Sequence, residues 1–281
     1  MSSHFAAIGF PVREMAEYRT LLREAAAKGQ HLPLAGGGAL ARWEVGGGPE
    51  VWALIDPSGH PLEATPFHTA GRAHRLALTA YGEDPEEEQA GWVEGWLEPR
   101  EPDEPLSGLF PLRMDLVDFP LARPALRTGA VLTVEFAGLV HEARLFPDAA
   151  AYEAVRQLTY QPPVRAVISV GSHTADAEPG VEPEATALIT GVVTRARLLT
   201  NAASGAPYWR LDVDSEVEVT VLADRETLPG APRAGNVLAA SCWVVGRTVP
   251  QAGATPADRG LAQDGRSEQV PGQTSQENQQ Q

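Results

Sequence analysis

The sequence predicts an α+β protein: a mixed N-terminal domain with antiparallel strands, a small C-terminal β-barrel and a disordered tail. Three observations predict it. Between Ala187 and Arg247, apolar and polar residues alternate in successive short segments, the period of half-buried strands. Two stretches, 11–28 and 149–158, place their apolar residues at helical spacing instead. Beyond Pro250 the large apolar residues are Leu261 and Val270 alone, and the chain ends in glutamines. Such a segment cannot bury enough surface to offset its ordering entropy. The expected boundaries are 1–172 for the α+β domain, 173–183 for a linker, 184–249 for the barrel and 250–281 for the tail, which folding should not require.

Each element has its own warrant. His4–Phe10 reads as a short strand. The first helix follows Pro11, gathers Met15, Tyr18, Leu21, Leu22, Ala25 and Ala26 on one apolar face, and ends at Lys28. Lys28 suits the negative end of the helix dipole, and Gly29 is expected to stop the helix in a left-handed conformation. Residues 39–45 and 50–56 form strands around Gly46-Gly47-Gly48-Pro49, a hairpin pattern. Residues 73–81, 109–116 and 131–139 continue the strands. Asp148 caps a second helix over 149–158, which Gln161-Pro162-Pro163 stops. Val164–Val170 alternates as a strand. The barrel takes strands near 187–198, 208–214, 216–221 and 236–247. No internal repeat is evident.

Composition limits function. The net charge is −15, with −12 in residues 1–182 and −1 in 183–250. Phosphate binding needs excess cations, so nucleic acid is not an expected partner, and single-stranded DNA should not bind at physiological salt. The basic residues are 21 Arg and one Lys, the bias of a GC-rich bacterial coding sequence. With no apolar stretch of membrane-spanning length, no signal-like start and one cysteine, Cys242, the expectation is a cytoplasmic protein with no membrane partner. Residues 83–104 hold ten acids and one base around Trp92 and Trp96. They read as a solvated loop and a Trp-anchored strand, or as a docking surface for a basic partner.

The strand lengths and long first strand of 184–249 resemble an OB-fold. The resemblance is architectural and implies a binding platform. Four strands are clear where the fold needs five, so Val164–Val170 or a bent first strand must supply the other. Tyr208, with Arg195, Arg197 and Arg210, is the candidate surface for stacking bases, whereas Trp209 and Trp243 share a face with apolar neighbours and read as core. Asp212, Asp214, Glu216 and Glu218 read as the outer face of a strand pair.

His60, Glu63, His68 and His74 fall within fifteen residues, and His4 opens the chain. Histidine and carboxylate are metal ligands in catalytic sites. Residues 4–80 are also slightly similar to half of a glyoxalase-type, vicinal-oxygen-chelate module, which implies a ligand role for His4. The spacings match no compact motif, and the expectation is no metal and no cofactor. Gly36-Gly37-Gly38 and Gly46-Gly47-Gly48 open no helix and lack a following Lys-Ser or Lys-Thr, so they are turns and not phosphate loops. The leading expectation is a non-catalytic binding or scaffolding protein with another protein as partner. The rivals are a metal-dependent enzyme, which needs the histidines to converge, and a single-strand nucleic-acid binder, which needs arginines beside exposed aromatics.

Overall fold

A computed structural model describes residues 4–84, 90–101, 104–159, 161–170 and 184–250. The expected linker (173–183) and nearly all of the expected tail lie outside the described residues. The observed class is α+β, dominated by strands.

The front of the chain does not begin with a strand. Ala6–Ile8 is a single 3₁₀ turn, closed by Gly9 at φ 81°. Its i, i+3 geometry puts Phe5 and Ile8 on one side, where both are buried. A strand would have pointed them to opposite faces. Helix α1 (Met15–Lys28) follows, its start fixed by the Glu17 carboxylate, which accepts from the N–H groups of Arg13 (2.7 Å) and Glu14 (3.1 Å). Gly29 is not left-handed, as expected, but extended at φ −70°. A Cβ there would lie 2.8 Å from the Ala25 carbonyl oxygen, so close backbone approach is what this glycine permits.

Helix α1 packs on a four-stranded antiparallel meander: β1 (Gln30–Pro33), β2 (Ala39–Glu44), β3 (Pro49–Ile55) and β4 (Pro61–His68). The triple glycine does join β2 to β3. All of β3 is buried, because α1 covers one face of the sheet and the barrels described next cover the other.

The remaining strands form one nine-stranded sheet: β5 (His74–Glu83), β6 (Gly91–Leu97), β7 (Pro111–Leu116), β8 (Val131–Phe146), β9 (Ala166–Ser169), β10 (Thr186–Thr200), β11 (Pro207–Asp214), β12 (Glu218–Ala223) and β13 (Val237–Thr248). Between β7 and β8 lies the one-turn helix α2 (Phe119–Ala122), and after β8 the helix α3 (Ala149–Arg156). Asp148 caps α3 as expected, accepting from the Ala151 N–H at 2.8 Å.

The pairings close two rings. The first runs β8–β5–β6–β7–β13 and back to β8. The second runs β13–β10–β11–β12–β8 and back to β13. Each has five strands and one parallel pair, β7 with β13 or β12 with β8. The fifth strand of the C-terminal barrel is therefore β8, not Val164–Val170, whose central part forms β9 and adds to one side of β10. This also corrects the boundary at 173–183. β13 pairs with β8 along its whole length, and Met1–Val249 is one compact unit.

The two rings are related by an internal repeat that the sequence reading missed. The first strand of each ring carries a bulge before its pairing to the second resumes, Leu78/Ala80 in β5 and Val193/Arg195 in β10. The skipped residue is a threonine in both. Thr79 donates to the Glu94 carbonyl (3.1 Å) and Thr194 to the Asp212 carbonyl (3.0 Å). Leu78 exchanges backbone bonds with Gly129 and Ala130, as Val193 does with Gly235 and Asn236. The matching segments are Arg127-Thr-Gly-Ala-Val-Leu132 and Arg233-Ala-Gly-Asn-Val-Leu238. Gly129 and Gly235 have φ of 87° and 91°, with nothing within 4 Å of an added Cβ. Gly129→Ala and Gly235→Ala are thus expected to destabilise by the same amount, about 1–2 kcal/mol each, through backbone strain alone. Urea unfolding of the two variants checks this, and unequal losses contradict the equivalence.

Candidate functional site

Two apolar cores organise the side chains. One fills the rings, from Leu76 and Leu78 through Leu112 and Met114 to Val213, Val221 and Val244. The other lies between the β1–β4 sheet with α1 and the outside of the rings, and includes Trp52, Phe67, Leu139 and Tyr208. Trp209 packs on the first core as expected. Trp243 faces out from its ring, against the second core, with its indole N–H donating to Asp115 at 2.6 Å. Cys242 is fully buried inside the ring, and burial pushes its thiol up, away from the reactive thiolate.

The candidate metal residues do not converge. His60 sits in the β3–β4 turn, bonded to Ser58, with its side chain 78% exposed. Glu63 lies on β4 opposite Leu54. His68 is completely buried at the end of β4, with Nδ1 2.8 Å from the Thr69 carbonyl and Nε2 3.3 Å from the Tyr208 hydroxyl. Burial lowers His68 to about 4, so it is neutral at pH 7. His74, on β5, pairs with Glu98 at 2.9 Å and packs against Phe136. His4 is elsewhere, beside His141. Among the described residues no group of three or more His, Cys, Asp or Glu could hold a metal ion.

The candidate stacking surface is half assembled. Register places Arg195 opposite Asp212 and Arg197 opposite Arg210, so the three arginines share one outer face of β10 and β11. Arg210 ties this face to the β4–β5 connection by donating to the Ala70 carbonyl at 3.0 Å. Tyr208, the proposed stacking ring, is 1% exposed and locked against His68. Burial raises its hydroxyl to about 12. It cannot meet a base without unfolding this junction. Of the acids on the strand pair, Asp212 pairs with Arg210 and Arg195, Asp214 with Arg165, and Glu218 with Arg72.

Trp92 and Trp96 face outward on β6, since Val93, Gly95 and Leu97 are the fully buried positions. The Trp92 ring is covered by the Arg113 guanidinium, 3.4 Å from its centre. Part of the acidic stretch, 85–89 and 102–103, lies outside the described residues.

Sequence reasoning missed a cleft of about 260 Å³ between α3 and the outer face of β8, β10 and β13. Its apolar walls are Phe146, Val155, Pro162 and Leu188, with Glu142 and Arg144 among its polar groups. Tyr152 builds the roof: its hydroxyl donates to the Pro162 carbonyl at 2.7 Å and its ring meets Phe146 edge-on. Leu188 and Val155 are 38% and 36% exposed at the cleft. Unbroken alternation along β10 would set Leu188 on the same face as Ala196 and Leu198. It points out because the bulge at Thr194 shifts the alternation by one: Ala187, Ile189 and Val193 face inward before the bulge and Ala196 after it.

No family model and no curated protein sequence matches this chain. Among solved structures the chain is similar to the cytoplasmic molybdate-binding protein ModG, at 16% identity and a TM-score of 0.30, over 64% of this chain and 97% of that one.

Proposed function

We propose that this chain is a non-catalytic binding protein of the bacterial cytoplasm that receives an apolar side chain of a basic protein partner in the cleft beneath α3. The cleft itself carries the reading: an open concavity with apolar walls and a polar rim, built on paired strands and roofed by a short helix. The net charge of −15 favours a basic partner by long-range attraction. Among the described residues no helix is long and apolar enough to cross a membrane. The enzyme reading draws no support from histidines spread over separate places, nor the nucleic-acid reading from arginines whose aromatic neighbour is buried.

A photo-crosslinking residue at Val155, introduced into the full chain in its own cells, tests the proposal. The expected result is a crosslinked protein of basic character, lost when Leu188→Arg fills the cleft and weakened by salt. Crosslinking that Leu188→Arg leaves unchanged, or that occurs equally from Arg195, farther along β10 and outside the cleft lining, overturns it.

A further inference from the structure

We propose that His4 and His141 form a two-histidine site for a divalent transition-metal ion of the zinc class. His4 Nε2 lies 3.2 Å from His141 Nδ1. Two nitrogens bound at about 2.0–2.1 Å to a tetrahedral zinc stand about 3.3 Å apart. The pair is thus already at chelating distance. The rings meet edge to face, at 77°, with centres 4.7 Å apart.

Both histidines are held there by features of the fold. His141 is the extra residue of a bulge in β8, where Glu142 pairs with Ser241 and Val140 with Cys242. A bulge re-aims the side chain it carries, and here it turns an imidazole out of the strand alternation. His4 is anchored by the 3₁₀ turn: its carbonyl accepts from the Ala7 N–H, and Phe5 and Ile8 are buried just beyond it. The Trp243 ring walls the site 4.5 Å from His4, oriented by its bond to Asp115. Two protein nitrogens leave the remaining positions for water or an anionic ligand.

Zinc titration of the full-length, untagged protein by calorimetry tests the site. One ion per chain is expected, with affinity at least tenfold weaker in both His4→Gln and His141→Asn and unchanged in His60→Gln. The Cu²⁺-loaded wild type provides a measurement independent of how the variants fold. Its electron paramagnetic resonance spectrum should carry coupling to two imidazole nitrogens. Absence of binding, binding that survives both substitutions or is lost in His60→Gln, or a copper spectrum without nitrogen coupling overturns the proposal. A direct N–H···N bond between the two rings, with no metal, predicts that set of failures.

Discussion

Glu50→Ala is expected to cost about 3 kcal/mol and to lower the melting temperature by about 6–12 °C, at 2–4 °C per kcal/mol for a chain of this size. Glu50 is 1% exposed, at the place where the β1–β4 sheet meets the shared strands of the rings. Its two oxygens accept from Arg42 (2.9 and 2.7 Å), the Trp52 indole (2.9 Å), Thr69 (2.7 Å) and Arg247 (3.3 Å). Removing it leaves a Trp N–H and a Thr O–H without their acceptor and two half-buried guanidiniums short of charge. The loss falls at the low end of the range for a broken buried pair. Glu44 remains on Arg42 at 2.7 Å, and Glu135 on Arg247 at 2.6 Å. Thermal unfolding checks the value. A drop below about 2 °C would show that the network contributes no net stability. Burial alone would raise the Glu50 carboxyl, but hydrogen bonds from Arg42 and Thr69 and the charges of Arg247 and Arg42 outweigh it and lower it below the usual range. Its contribution is therefore complete above the ordinary glutamate pKa and is lost as pH falls through the folded value. Glu50→Gln should be insensitive to that fall.

Local patterns in the sequence translated well into structure where one residue's periodicity decided its face. The hairpin of β2 and β3, the start of β8, the Asp148 cap and the inward row Trp209, Leu211, Val213 all follow from spacing. Pairings between distant segments did not follow. Nothing local in 131–146 says that one strand serves two rings, so β8 read as part of the front domain and the barrel seemed one strand short. The repeat was hidden for the same reason. Its signature is six residues around Gly129 and Gly235 and two bulged threonines, and the intervening strands share little sequence. The candidate sites were less legible still. Tyr208 alternates as an outward residue, and it is outward, but the β1–β4 sheet covers that face and brings His68 to its hydroxyl. His141 carries no sequence signal because a bulge is a property of two paired strands. Leu188 points outward for the same reason, because the bulge at Thr194 shifts the alternation of β10 by one.

Asp118→Asn is expected to reshape the pH dependence of stability. Asp118 lies at the start of α2 and binds the far end of β13: its carboxylate accepts from the Thr248 N–H (3.1 Å) and hydroxyl (2.5 Å). It is 7% exposed, and burial raises its pKa to about 6, against the pull of these bonds and of Arg247. The folded protein therefore holds this proton more tightly than the unfolded chain, whose aspartate ionises near the ordinary value of about 3.9. Below that value both states are protonated and the group is neutral in the balance. As pH rises from about 4 to 6 the unfolded chain releases its proton freely, while the folded chain must create a charge in a desolvated place. Stability from this group falls by roughly 3 kcal/mol in all, at 1.36 kcal/mol per unit, with about 2 kcal/mol of it between pH 4 and pH 6, and stays lower above. Asparagine keeps a carbonyl acceptor for Thr248 and cannot ionise. The quantity to measure is the difference in unfolding free energy between Asp118→Asn and wild type, from urea titrations at steps from pH 4 to pH 8. Every other carboxylate, Glu50 included, cancels in that difference. It should move in favour of the variant by about 2 kcal/mol between pH 4 and pH 6 and then level off. A difference that is constant with pH would mean that Asp118 ionises as easily in the fold as in the unfolded chain, and that the Thr248 bonds fully offset its burial.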